Sequence, residues 1–223
     1  MMAENSPHPT HHPSEARLLD YAAGSLAEPM ALLVATHLAL CPHCRLETRE
    51  LEELGGALLD ELEPSPLTEG GVDRLFARLE RQDEQEEPSP SPAVAGDPDL
   101  PEPLRSCLGG SLSTLPWRRI GPIGQVALLP QHPGLTTRLL SIRAGTAMPS
   151  HTHAGTEMTL VLRGAFSDET GHYLRGDVAE ADDEVDHRPV ADEGEDCLCL
   201  AVTDAPLRLT GKLGRLVNPF VRL

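Results

Sequence analysis

The chain has 223 residues, 39% of them hydrophobic but only 3% aromatic, so one large domain or two small ones must be built on aliphatic cores. Its 35 acidic against 18 basic residues give a formal net charge of -17. That excludes direct nucleic-acid binding, which needs basic residues to displace counterions from phosphate, and disfavours an anionic membrane surface.

No apolar run reaches about 18 residues, so no transmembrane helix is expected. The opening residues lack the basic and apolar regions of a secretory signal. The expectation is a cytoplasmic protein with a basic partner. Five cysteines, an odd number without an export signal, argue against a disulfide framework.

In chain order, residues 1–87 read as helix. Ser14 is placed to cap a first helix and Gly24 to stop it. Residues 26–40 are apolar-rich and of helical length. Pro42 suits the first turn of a third helix reaching about Leu62. In a fourth, Val72, Leu75, Phe76 and Leu79 form one apolar stripe, expected to be core or partner-facing. This part holds 18 acidic residues against 6 arginines, most of the net negative charge.

Between the second and third helices stands His37-x3-Cys41-x2-Cys44. His37 and Cys41 are one helical turn apart, and Cys44 follows across the corner at Pro42. Three such ligands can converge on one point. A fourth would complete the closed tetrahedral set of a structural zinc. The candidates are His8, His11, His12 and His43. His43 adjoins Cys44 and should point off another face, which favours the N-terminal group. Two reduced core cysteines beside a surface histidine are the plainer alternative, and the helical spacing of His37 weighs against it.

Residues 88–105 contain six prolines and read as an extended linker. Beyond it, residues 106–223 read as β. Short apolar runs at 125–129, 137–142, 158–162, 197–202 and 207–209 alternate with Gly, Pro and Asp turns, the pattern of a sandwich or small barrel.

Gly145-x5-His151-x-His153-x3-Glu157-x6-Gly164 matches the first cupin motif at every named position. His151 and His153 share a strand face, and Glu157 joins them if a turn intervenes. Gly176 and His187 match the frame of the second cupin motif, with Asp182, Glu184 and Ala191 replacing its Pro, Gly and Asn. Three histidines and a glutamate suit a divalent metal, and spacing does not choose among zinc, iron, manganese and nickel. Cys197 and Cys199 share one strand face, as core residues or as a redox pair.

The stretches HHPSEARLLDYAAGSL and VATHLALCPHC closely resemble the ChrR-type zinc-binding anti-sigma factors. The resemblance covers nearly the whole chain apart from the linker. It implies an all-α four-helix zinc domain in residues 1–87, a Pro-rich linker in 88–105, and an all-β cupin barrel acting as sensor in 106–223. It selects His12 as the remaining ligand, giving His12, His37, Cys41 and Cys44 for zinc. It assigns His151, His153, Glu157 and His187 to a second divalent metal, taken as zinc. The implied partner is a group IV (ECF) sigma factor in a 1:1 heterodimer, and the implied inducer is reactive oxygen, singlet oxygen or organic peroxide. No enzymatic activity is implied. The alternative from another class is a cupin metalloenzyme, such as a dioxygenase, with a helical oligomerisation module.

Overall fold

The computed structural model describes residues 8–83, 97, 100–129, 132 and 134–210. Five α-helices precede the strands: α1 Glu15–Ala22, α2 Glu28–Leu40, α3 Pro42–Asp60, α4 Gly71–Asp83 and α5 Glu102–Leu108. Ser14 occupies the first N-cap, but its side chain makes no cap bond; its carbonyl accepts from Arg17 and Leu18. α3 stops at Asp60, two residues short of the expected end.

The segment expected to stay extended to residue 105 closes into α5 instead. Pro101 caps it, Pro103 lies in its first turn, where a missing N–H costs nothing, and Gly109 ends it at φ +61°. Leu100 and Leu104 are buried there. Residues 88–96, 98 and 99 of the expected linker lie outside the described residues.

Eleven strands follow among the described residues. β1 Arg118–Ile120, β2 Ile123–Leu128, β3 Thr136–Ile142, β5 Glu157–Arg163, β8 Val178–Ala181 and β10 Cys197–Thr203 form one sheet in the order β1-β2-β3-β10-β5-β8. β4 His151–His153 pairs with β11 Leu207–Leu209, and β6 Ala165–Ser167 lies between β7 His172–Leu174 and β9 Val190–Ala191. The architecture is α+β with a β-rich cupin-like part. Among the described residues no ladder closes the expected barrel into a ring.

The large sheet is covered on both faces. Val126, Leu139, Met158, Leu160, Leu198, Leu200 and Val202 point outward into one core with Leu18, Met30, Leu33 and Val34 of the helices. Ile142, Val161, Ala179, Cys197 and Cys199 point the other way, into the cupin interior. α2 is apolar nearly all round, as suits a helix enclosed on most of its surface. It touches α1, α3, α5, β5 and β10. Each leucine buried in this way contributes about 1.5–3 kcal/mol. The helices and the sheet therefore share a hydrophobic core.

α4 behaves differently. Val72, Leu75, Phe76 and Leu79 are 47%, 55%, 59% and 46% exposed, so the stripe faces solvent rather than a core.

Candidate metal centres

The first centre forms where the arm preceding α1 crosses the α2–α3 corner. The ligand atoms of His12, His37, Cys41 and Cys44 lie within 4.8 Å of one another. His12 Nδ1 stands 3.5 Å from Cys41 Sγ and 3.3 Å from Cys44 Sγ. The Nδ1–H of His37 donates to the Gly176 carbonyl at 2.8 Å, so its Nε2 lone pair is turned toward the cluster. That buried Nε2 has no partner.

The other N-terminal candidates lie elsewhere. His11 packs on Tyr173 and lies 3.5 Å from Asp177, His8 is exposed, and His43 points to solvent beside Glu47.

Burial, with Cys41 alongside, pushes the Cys44 thiol up to about 12. Burial lowers His37 to about 4 and also lowers His12. The imidazoles are thus neutral and ready to donate lone pairs, while a thiolate here requires a cation. Two sulfurs and two imidazoles around an orphaned lone pair fit a closed zinc site. Bound there, the ion would supply a cross-link between arm and corner.

The arm is held independently of any metal. The Asp177 carboxylate accepts from the backbone N–H of Thr10 at 2.6 Å, His11 at 3.0 Å and Leu174 at 2.8 Å. The Val178 N–H donates to the His11 carbonyl. Gly176, at φ +94°, lets the arm approach, because a Cβ there would meet Pro9 at 2.7 Å.

The second centre lies inside the cupin-like part, and its ligand atoms also fall within 4.8 Å. His187 Nε2 is 3.0 Å from His151 Nε2 and 3.1 Å from His153 Nε2. Glu157 Oε2 is 2.8 Å from His153 Nε2. A turn at 154–156 brings Glu157 into the set. It is tight enough that a Cβ on Gly155 would collide with Asp204 Oδ1, which accepts the Thr156 N–H at 2.6 Å.

His187 keeps its place although the preceding loop departs from the cupin pattern. Asp182 accepts the Glu184 N–H and closes the turn. His187 and His151 then exchange two backbone hydrogen bonds of 3.0 Å.

Outer groups orient these rings. His151 donates through Nδ1 to the Pro149 carbonyl at 2.8 Å, and His187 through Nδ1 to Asp168 at 2.8 Å. Burial alone would raise the Asp168 carboxyl; bonds from His187 and Thr170 outweigh it and hold the group at about 2. Burial lowers His151. Burial alone would also raise Glu157, but the contact with His153 outweighs it and lowers the group. A set of three imidazoles and one carboxylate fits a divalent cation.

Cys197 and Cys199 are buried free thiols with Sγ atoms 3.3 Å apart. The hydrogen bond with Cys197, in which the Cys199 S–H donates, then burial, pushes the Cys199 thiol well above its ordinary value.

Sequence reasoning missed Asp168 and Asp177, and it placed Gly176 in the cupin frame without its contacts to His37 and the N-terminal arm. Asp168 carried one signal, the DETG turn it caps, but nothing in that turn tied it to His187.

Residues 109–206 match the family described as the ChrR cupin-like domain. Over 213 residues the chain is 46% identical to the anti-sigma-E factor ChrR of Cereibacter sphaeroides, covering 96% of this chain and 98% of the relative. The chain belongs to the ChrR family of anti-sigma factors. The crystal structure of Rhodobacter sphaeroides SigE in complex with the anti-sigma ChrR matches with a TM-score of 0.76 at 42% identity, over 86% of this chain and 98% of that one. ChrR is a regulator, and near full-length kinship with it decides against the metalloenzyme alternative. No described helix of this ChrR-family chain is long and apolar enough to cross a membrane.

Proposed function

We propose that the helical part sequesters a group IV (ECF) sigma factor in a 1:1 heterodimer in the cytoplasm. The cupin-like part governs release under reactive-oxygen stress, with singlet oxygen or organic peroxide as inducer. The observation that carries this reading is the 46% identity over nearly the whole chain to an anti-sigma-E factor.

Two features of the chain support it. The exposed stripe of Val72, Leu75, Phe76 and Leu79 offers the apolar centre an interface needs. The acidic residues of the helical part suit a basic, DNA-binding partner and speed encounter with it.

Zinc is the metal proposed for His12, His37, Cys41 and Cys44, and zinc or another divalent ion for His151, His153, Glu157 and His187. Cys197 and Cys199 are proposed as redox candidates second to the metal, because both are enclosed. We take residues 1–87 as the inhibitory unit and 106–223 as the sensing unit.

The test is transcription with purified polymerase, the cognate sigma factor and this chain. Full-length protein should abolish sigma-dependent transcript at equimolar ratio and co-elute with sigma. Unimpeded transcription with folded, metallated protein sinks the reading.

A further inference from the structure

A cavity of about 190 Å³ opens on the cupin side of the large sheet, beside the second donor cluster. Its walls are mostly apolar, with Ile123, Leu140 and Met148 among them, and His151 and Glu157 form one side. An apolar cavity of about 150 Å³ accepts a benzene ring, so the space suits a ligand with a body of that size.

The wall also contains Arg138. Along β3, Arg138, Leu140 and Ile142 alternate onto the interior face, while Thr137 and Leu139, of the opposite parity, are buried on the other face. The guanidinium is permanently charged, and it is half-buried. Among the described residues it forms no ion pair or hydrogen bond. Glu157 acts on it only through space and already faces His153 at 2.8 Å. A charge held in an apolar recess without a partner is costly unless an anion meets it.

Charge narrows the class of ligand. A cation is repelled by Arg138. A dianion would bring a second negative charge toward Glu157. A neutral molecule leaves the guanidinium unpaired. Gln125, Thr136 and Thr203 lie in the same wall and can supply further hydrogen bonds to a carboxylate.

We propose that this cavity binds a small amphipathic monocarboxylate, an aromatic or branched acid of about the size of benzoate. Its carboxylate pairs with Arg138 and its body lies against Ile123, Leu140 and Met148. Such a ligand rests against His151 and Glu157, so the second centre senses its presence directly. This site does not depend on sigma binding.

The test is calorimetric titration of the full-length, metal-loaded chain with benzoate, benzyl alcohol and acetate, beside Arg138→Gln and Met148→Trp variants whose thermal midpoints are measured without ligand. Benzoate should bind one per chain, benzyl alcohol at least about tenfold more weakly, and acetate not at all. R138Q should reduce benzoate to the level of benzyl alcohol. M148W, which fills the cavity and leaves Arg138 in place, should abolish both. Benzoate binding unchanged in R138Q would assign it to the metal or to another surface and overturn the proposal. Absence of binding at millimolar benzoate to folded wild-type protein would overturn it as well.

Discussion

His37 donates its Nδ1 hydrogen to the carbonyl of Gly176 over 2.8 Å, so a candidate ligand of the helical centre is oriented by backbone of the cupin-like part. A hydrogen bond to the ring nitrogen that faces away from a metal fixes the orientation of the ring and tunes metal affinity. Docking of the helices onto the sheet and metal binding at the corner are therefore linked. Whatever loosens one weakens the other by the same free energy.

Loss of one thiolate should undo the corner. Cys41→Ser or Cys44→Ser is expected to lower metal content from about two ions per chain to about one, since a structural zinc needs all its ligands. The thermal midpoint should fall and inhibition of sigma-dependent transcription should fail. Elemental analysis beside the transcription assay measures both, and wild-type inhibition by either variant counts against the assignment.

Asp168 should act on metal affinity without touching the ion. Asp168→Asn leaves His187 in place but removes the anion at its Nδ1. The affinity of the second centre is expected to drop about 10–100-fold, read by competition with a chelator. His187→Ala should do more. Equal effects of both variants would mean that D168N displaces the ring altogether.

Asp177 should control attachment of the N-terminal arm. Burial alone would raise its carboxyl, but the amides of His11, Leu174 and Thr10 outweigh it and hold it below the ordinary carboxylate value. A lowered folded value gives stability that is fully present above the unfolded value of about 3.9 and lost as pH falls through the folded one. Asp177→Ala is expected to destabilise by about 2–3 kcal/mol at neutral pH. The amides of residues 10–12 should also lose hydrogen-exchange protection. The difference from wild type should shrink below about pH 4, and a difference that persists there would assign the effect to packing.

Phe76 and Leu75 should matter to the partner and not to the fold. Both are more than half exposed, so Phe76→Asp should change the thermal midpoint by no more than about a degree. At the centre of an interface the same change is expected to cost at least about 2 kcal/mol, a 30-fold loss of sigma affinity. Titration with labelled sigma factor checks this. Undiminished binding would move the interface to another face.

The second centre should bear on release rather than capture. His151→Ala and Glu157→Ala are expected to leave sigma affinity within about threefold, because these residues line the cupin interior and neither belongs to the exposed stripe of α4. The ratio of induced to uninduced transcription should fall toward one. Normal induction by a variant shown to lack the metal would remove the ion from the switch.

The candidate ligand residues were legible because their geometry is local. His37 lies in the last turn of α2 and Cys41, four residues on, caps its end, and His151 and His153 share the parity of a single strand. The strand runs were legible for the same reason. Asp168, Gly176 and Asp177 reach their partners from 19, 139 and 166 or more positions away, and no spacing rule spans such gaps. α5 was hidden because a proline-dense stretch reads as extended, although prolines at its start favour a helix. The docking of helices on the sheet left one trace, the nearly all-round apolarity of α2, and it pointed to burial without saying against what.

β10 has a cost of its own. In a sheet with one wet face, every second residue drifts freely, since its side chain meets only water. From Cys197 to Val202 all six positions are buried, odd ones against the cupin interior and even ones against the helices. Substitution scanning along this strand should therefore show no tolerant site and no alternation. The two halves of the chain cannot accumulate changes here independently, because a replacement that suits one side shifts the backbone the other side rests on. Variation in one half must be matched in the other, and exchanging cupin-like parts between relatives should fail unless the helical part that seats on β10 travels with them.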